Sequence, residues 1–165
     1  MPRSESRPPR RGVQLREVEE ANLSVFFEQQ LDPESNRMAA FTARDPTDRG
    51  AFDAHWRKIL GDKNVTLVTI VSDGRVAGYV GKFEERPGKP EVMYWIGTEY
   101  RGQGLATKAL SEFLSLLTTR PIYARAARDN VASLRVLEKC GFVISGYERS
   151  FAKPEAGKSR RRAWN

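Results

Sequence analysis

The chain has 165 residues, of which 39% are hydrophobic, 10% aromatic and 30% charged, with a formal net charge of +7. That length fits one domain of about 100–200 residues, able to bury roughly 70% of its extended-chain surface without a disulfide or a metal. The single cysteine, Cys140, and the single histidine, His55, exclude an internal disulfide and a Cys/His zinc site. No apolar run approaches the ~20 residues that cross a bilayer, and the N-terminus lacks the apolar stretch of a secretory signal. A cytoplasmic protein with no metal and no membrane partner is expected.

The charge sits at the ends. Residues 1–12 carry four arginines against Glu5, and residues 150–165 carry five basic side chains against Glu155, which leaves the body neutral. A duplex-binding domain concentrates basic residues on its folded face, so no nucleic-acid partner is expected. With Pro2, Pro8 and Pro9 among its arginines, segment 1–12 reads as a disordered basic arm ahead of one domain over 13–165.

In chain order, Val13 to Val18 reads as a strand and Glu19 to Leu31 as a helix with Leu23, Phe26 and Phe27 at helical spacing. Thr47 to Leu60 reads as a second helix with Phe52, Trp56 and Ile59 on one face, ended by Gly61. Val65 to Val71 is β-branched and meets Asp73-Gly74, a two-residue hairpin signal, so Arg75 to Glu84 is its partner strand. After a loop through Pro87-Gly88 and Pro90, Glu91 to Ile96 forms another strand. The order then changes to a helix over Gly104 to Thr118, a strand over Pro121 to Ala127, a helix over Asn130 to Cys140 and a strand from Phe142 onward. Pro154 to Gly157 is a turn signal, and Lys158 to Trp164 returns as an edge strand or continues as a free tail. The class is α+β, with a mixed, mostly antiparallel sheet flanked by helices and one parallel crossover.

The stretch from Tyr94 to Thr107 is the most informative. A strand runs into Gly102-Gln103-Gly104, which opens directly on a helix whose Ala106, Ala109, Leu110 and Phe113 form one stripe. Free backbone N–H groups and the positive end of the helix dipole then converge on one point, where an anion is stabilised. Gly102 and Gly104 let phosphate oxygens approach the backbone, and the Thr107 hydroxyl adds a donor. There is no G-x-x-x-x-G-K-[ST], and the dinucleotide pattern fails at Thr107. Taken alone, the glycine pair is equally well a tight turn and helix cap. Further on, Asn130 or Asp129 caps a helix whose Val131, Leu134 and Leu137 face the core and whose Gly141 ends it, with Phe142 packed behind.

R-G-Q-G-L-A at 101–106, behind a Y-W-I strand and ahead of N-x-x-S…C-G-F, resembles the acyl-CoA-binding core of the GNAT superfamily of N-acetyltransferases, over roughly Val65 to Tyr147. E-V-M-Y-W-I-G-T-E-Y-R-G-Q-G-L-A-T resembles more narrowly the branch of ribosomal-protein N-terminal acetyltransferases and several antibiotic and polyamine acetylators. The resemblance implies a GNAT fold whose sheet is splayed at the acyl-CoA site. It implies that Arg101, Gly102, Gln103, Gly104, Leu105, Ala106 and Thr107 hold the coenzyme pyrophosphate. The strand ending at Trp95, Ile96 and Gly97 would bulge away from Pro121 to Ala127 and take the pantetheine arm as an added strand does. Asn130 and Ser133 would reach that arm near the thioester, and a backbone N–H around Ile96 would polarise its carbonyl.

The implied activity is transfer of acetyl from acetyl-CoA, as acyl-donor cosubstrate, to a primary amine of a protein N-terminus or a small molecule. An amine is largely protonated near neutral pH, so a base must act first; Glu91 is the candidate, acting through water. Where many members carry a tyrosine that protonates the leaving thiolate, this chain has Leu137. Ser133 is the substitute hydroxyl, or the thiolate leaves unassisted, and Tyr94 is a second candidate residue, at the acceptor site. The alternative reading is a CoA-binding regulatory module of the same fold without turnover. His55 reads as solvated, Cys140 as a small buried hydrophobe, and Trp56, Phe41 and Met38 as core or acceptor-side residues. Arg125, Arg128 and Arg135 read as phosphate contacts or solvent-facing side chains. A monomer or homodimer is expected.

Overall fold

The structure is a computed structural model that describes residues 12–33, 45–153 and 157–164, the segments 148–153 and 157–164 by their backbone course. Met38, Phe41 and the expected arm, apart from Gly12, lie outside the described residues. The elements are β1 (Val13–Glu17), α1 (Glu20–Gln30), α2 (Arg49–Leu60), β2 (Thr66–Ser72), β3 (Arg75–Arg86), β4 (Lys89–Ile96), a 3-10 turn (Thr98–Tyr100), α3 (Leu105–Leu116), β5 (Ala124–Ala127), α4 (Val131–Lys139), β6 (Ile144–Lys153) and β7 (Gly157–Trp164).

Local chemistry explains the boundaries. Asp73 (φ 50°) and Gly74 (φ 76°) both adopt the left-handed conformation of a type I′ hairpin turn, which twists as the flanking strands do and closes β2 onto β3. The Asp48 carboxylate accepts from the Ala51 N–H at 3.0 Å and starts α2. Gly141 (φ 91°) ends α4, letting the Phe142 N–H reach the Leu137 carbonyl at 3.0 Å.

Two antiparallel sheets result, β1-β2-β3-β4 and β5-β7-β6. They join at one parallel bridge, Glu91 opposite Tyr123, where the Val92 N–H donates to the Tyr123 carbonyl (2.9 Å) and the Tyr123 N–H to that of Pro90 (2.8 Å). Beyond it no ladder among the described residues links Met93–Ile96 to β5, so the strands diverge as a wedge, the expected splay. β4 stays in register with β3 through Ile96, and the register shift of that pair falls between Phe83 and Arg86.

Two expectations are corrected. The loop through Pro90 is shorter, because Pro87-Gly88 alone makes the turn and Pro90 is a buried residue of β4. It sits opposite the register shift, where a missing N–H is tolerated. Residues 157–164 form a strand, but not at an edge: β7 pairs with β5 on one side and β6 on the other.

One core lies under α3 and α4, where Ala109, Leu110, Phe113, Leu134 and Leu137 pack on Ile70, Val80, Val92 and Ile96. A second lies on the opposite face, where α1 and α2 set Phe26 and Trp56 against Tyr79, with ring centroids 4.9–5.1 Å apart. Such ring pairs add about 0.5–1.5 kcal/mol each beyond area burial. The second core walls a cavity below β3 and β4.

Candidate active site

The turn leading into α3 presents open backbone at the start of a helix. Gly102 and Gly104 both have φ 74°, and no heavy atom lies within 4 Å of where a Cβ would stand, so the space beside them is open. Gly104 is the N-cap without a side-chain cap, and the first turn of α3 holds no acidic residue. The first intrahelical bond is Lys108 N–H to the Gly104 carbonyl, at 3.2 Å. The amides of Leu105, Ala106 and Thr107 precede it and face outward at the positive end of the helix. Positive φ, rather than crowding, requires glycine at 102 and 104.

On the core side of the wedge, Tyr94 of β4 and Ser133 of α4 meet with their hydroxyls 2.7 Å apart. Ser133 is fixed in turn by its N–H, which donates to the Asn130 side chain at 3.1 Å. Asn130 is therefore the helix cap, as its position suggests, and the cap orients Ser133. Burial pushes the Tyr94 phenol up, only partly countered by its bond to Ser133, so the hydroxyl stays protonated. Leu137, at the position of the superfamily's tyrosine, is 3% exposed and belongs to the core. The Cys140 thiol, pushed up by burial, contacts the Thr107 carbonyl at 3.7 Å, as a packed side chain.

On the other side of the wedge lies Glu91, only 1% exposed. Arg86 Nη2 donates to its Oε1 (3.3 Å) and Arg125 Nη2 to its Oε2 (2.9 Å). Arg125 also reaches Glu85 at 2.8 Å. Burial opposes the Arg125 charge, and Glu85 and Glu91 more than offset that cost. The Glu91–Arg125 pair ties β4 to β5 close to the bridge where the sheets part.

Alternation along β4 sends Val92, Tyr94 and Ile96 to the α3 core and Glu91, Met93 and Trp95 to a cavity of about 910 Å³. Phe52, Trp56, Tyr79 and Arg125 share its wall. Tyr94 is absent from that wall and faces Ser133 instead. The Trp95 indole Nε1–H is buried without an acceptor among the described residues. Gly97 donates its N–H to the Ala77 carbonyl at 2.8 Å and closes the end of β4. His55 stands exposed at the cavity mouth.

The structure thus groups the candidates in three places. The backbone turn 101–107 lies at the start of α3, Tyr94, Ser133 and Asn130 lie on the core side of the wedge, and Glu91 and Trp95 lie on the cavity side. Arg125, read from the sequence as a phosphate contact or a solvent-facing side chain, is instead paired with Glu85 and Glu91, and Arg86, which sequence reasoning did not single out, joins it on Glu91. The one signal for Arg125 is its place between the buried Ala124 and Ala126, which gains meaning only once Glu91 is known to stand opposite Tyr123.

The two sheets part beyond Tyr123, and the turn of Gly102 and Gly104 opens α3 with no side-chain cap. Residues 13–143 match the family model described as an acetyltransferase (GNAT) domain, and the chain belongs to that family. It is 28% identical over 119 residues to YdaF of Bacillus subtilis (strain 168), provisionally named a ribosomal N-acetyltransferase; the match covers 66% of this chain and 65% of that relative's length. The spermidine N-acetyltransferase of Vibrio cholerae, solved with CoA and spermine, superposes with TM-score 0.78 at 19% identity, over 93% of this chain and 94% of that one. RimL, a ribosomal L7/L12 alpha-N-protein acetyltransferase solved with coenzyme A, gives 0.75 at 16%, over 94% and 95%. At these identities the likeness to the two structures establishes the fold. Among the described residues no group of His, Cys, Asp or Glu is placed to hold a metal, and no helix is long and apolar enough to cross a membrane.

Proposed function

We propose that the protein transfers acetyl from acetyl-CoA to a primary amine by direct attack on the thioester. The observation that carries this reading is the wedge ending at the open turn of Gly102 and Gly104. An elongated ligand with a phosphate at one end and an amide-rich arm at the other fits that shape. The amides at the start of α3, with Arg101, Gln103 and the Thr107 hydroxyl, take the pyrophosphate. The edges of β4 and β5, around Trp95, Ile96 and Gly97, take the pantetheine arm by main-chain bonds, and Asn130 and Ser133 border it.

The amine enters from the cavity. Its nitrogen loses a proton through water to Glu91, attacks the carbonyl carbon, and a tetrahedral oxyanion forms opposite a β4 amide near Ile96. Collapse breaks the C–S bond, and the nitrogen, still carrying two hydrogens, releases one as a proton to water to leave the neutral amide. An ordinary thiol titrates near 8.5 and a tyrosine near 10, and Tyr94 lies higher still, so complete transfer from either hydroxyl to the thiolate is uphill. Tyr94 therefore donates to Ser133, and Ser133 donates a hydrogen bond to the departing sulfur. The proton taken up by Glu91 returns through water to complete the thiol.

The alternative of a CoA-binding module without turnover rests on the loss of the superfamily tyrosine to Leu137, and the Tyr94–Ser133 pair weighs against it by supplying hydroxyls to the same wedge. The test is amine-dependent release of CoA thiol from acetyl-CoA, with the product amine gaining one acetyl group by mass. Coenzyme binding without release over a broad amine panel supports the non-catalytic reading.

A further inference from the structure

The cavity opposite the coenzyme wedge is divided by chemistry along its depth. Its inner wall is aromatic and apolar, formed by Phe52, Trp56, Leu67, Tyr79, Met93 and Trp95, with Phe52 and Trp56 buried in the second core. Its mouth is acidic, because Asp45, Asp48, Asp62 and Glu84 all line it and all are exposed. Among the described residues, the basic ones on the wall are Lys82 and Arg125, and Arg125 is bound to Glu85 and Glu91. A chain of net charge +7 thus presents a locally negative opening over an apolar chamber. Its volume, about 910 Å³, suits a small molecule.

Resting on the acetyl-transfer reading, we propose that the acceptor is a small amphipathic cation: a primary amine on an aromatic body that bears no carboxylate. Acidic mouths concentrate cations and repel anions. Once inside, an ammonium gains from the half-buried Trp95 ring, and an aromatic body replaces water against the inner wall. A polyamine satisfies the mouth and wastes the wall, an aminosugar leaves its hydroxyls unpaired there, and an aromatic amino acid carries its carboxylate past four others.

The test is the full-length protein with acetyl-CoA and four acceptors: tryptamine, tryptophan, spermidine and an alanine-initiated peptide. Tryptamine and tryptophan share a body and differ by one carboxylate. The expected result is a kcat/KM for tryptamine at least tenfold above each of the others, a gap of about 1.4 kcal/mol, falling as salt screens the mouth. Glu84→Gln is expected to raise KM for tryptamine several-fold at unchanged kcat. Equal or better use of tryptophan, spermidine or the peptide overturns the proposal, as does failure of tryptamine to bind by calorimetry in the presence of CoA. Release of CoA thiol over a broad amine panel, read separately, shows whether the transferase reading has failed as well.

Discussion

Replacing Glu91 by Gln removes one negative charge from a cluster in which the Arg125 side chain is 9% exposed and the Glu91 side chain 1%. Breaking a buried pair by neutralising one partner costs about 3–5 kcal/mol, since the other charge stays buried. Arg125 keeps Glu85 at 2.8 Å, but that side chain is 61% exposed, and exposed pairs return only about 0–1 kcal/mol. The variant should therefore lose roughly 3 kcal/mol, which lowers the melting temperature by about 6–12 °C in a chain of this size. Loss of general-base catalysis should cut kcat/KM by about 10²–10⁴-fold, with the dissociation constant for acetyl-CoA little changed. Thermal unfolding, calorimetry and thiol release below both melting temperatures separate the effects. The double variant Glu91→Leu, Arg125→Leu supplies the control, because an apolar pair of similar volume recovers stability without restoring a base. Turnover of Glu91→Gln within about twofold of the parent, or a double variant that recovers turnover with stability, would refute a catalytic role and leave Glu91 as the tie between β4 and β5.

Gly104→Val forces a branched residue to φ 74° with no atom nearby to clash. The left-handed region costs a side chain about 1–2 kcal/mol, so the domain should still fold, by circular dichroism, while acetyl-CoA affinity falls at least about 100-fold as the amides of α3 turn away from the phosphate. Unchanged affinity removes the turn from the site. Tyr94→Phe and Ser133→Ala should each lower kcat by roughly 2- to 10-fold, the range of one neutral hydrogen bond, with KM for acetyl-CoA unmoved. Their double variant should be no slower than the worse single one, because the hydroxyls act as a chain; full additivity would show that they act apart.

Features set by neighbouring residues were legible in the sequence. Asp73-Gly74 encodes its turn in two residues, the Asn130 cap and Gly141 end fix α4, and the stripe of α3 follows from its 3.6-residue period. Features set by residues far apart in the chain were not. The depth of Glu91 and its arginine partners depends on Tyr123 standing opposite Glu91, a register that no local signal records. The place of β7 was hidden in the same way: a hairpin predicts its pairing with β6, and its basic composition suggests an edge, yet β5 covers its other side. Tyr94 was assigned toward the acceptor because one-residue alternation alone does not say which face of β4 is the cavity. The backbone turn at 101–107 was the most readable part of the site, since its chemistry belongs to main-chain amides and to glycines that admit them.

The most direct measurement is an isothermal titration of the intact protein with acetyl-CoA, beside free CoA and ATP. Saturable binding of acetyl-CoA and CoA at one site per chain, with ATP silent, is the expected result. Absence of saturable heat with any CoA species, under conditions where the protein is folded, would contradict the assignment of the wedge and the Gly102–Gly104 turn as a coenzyme site.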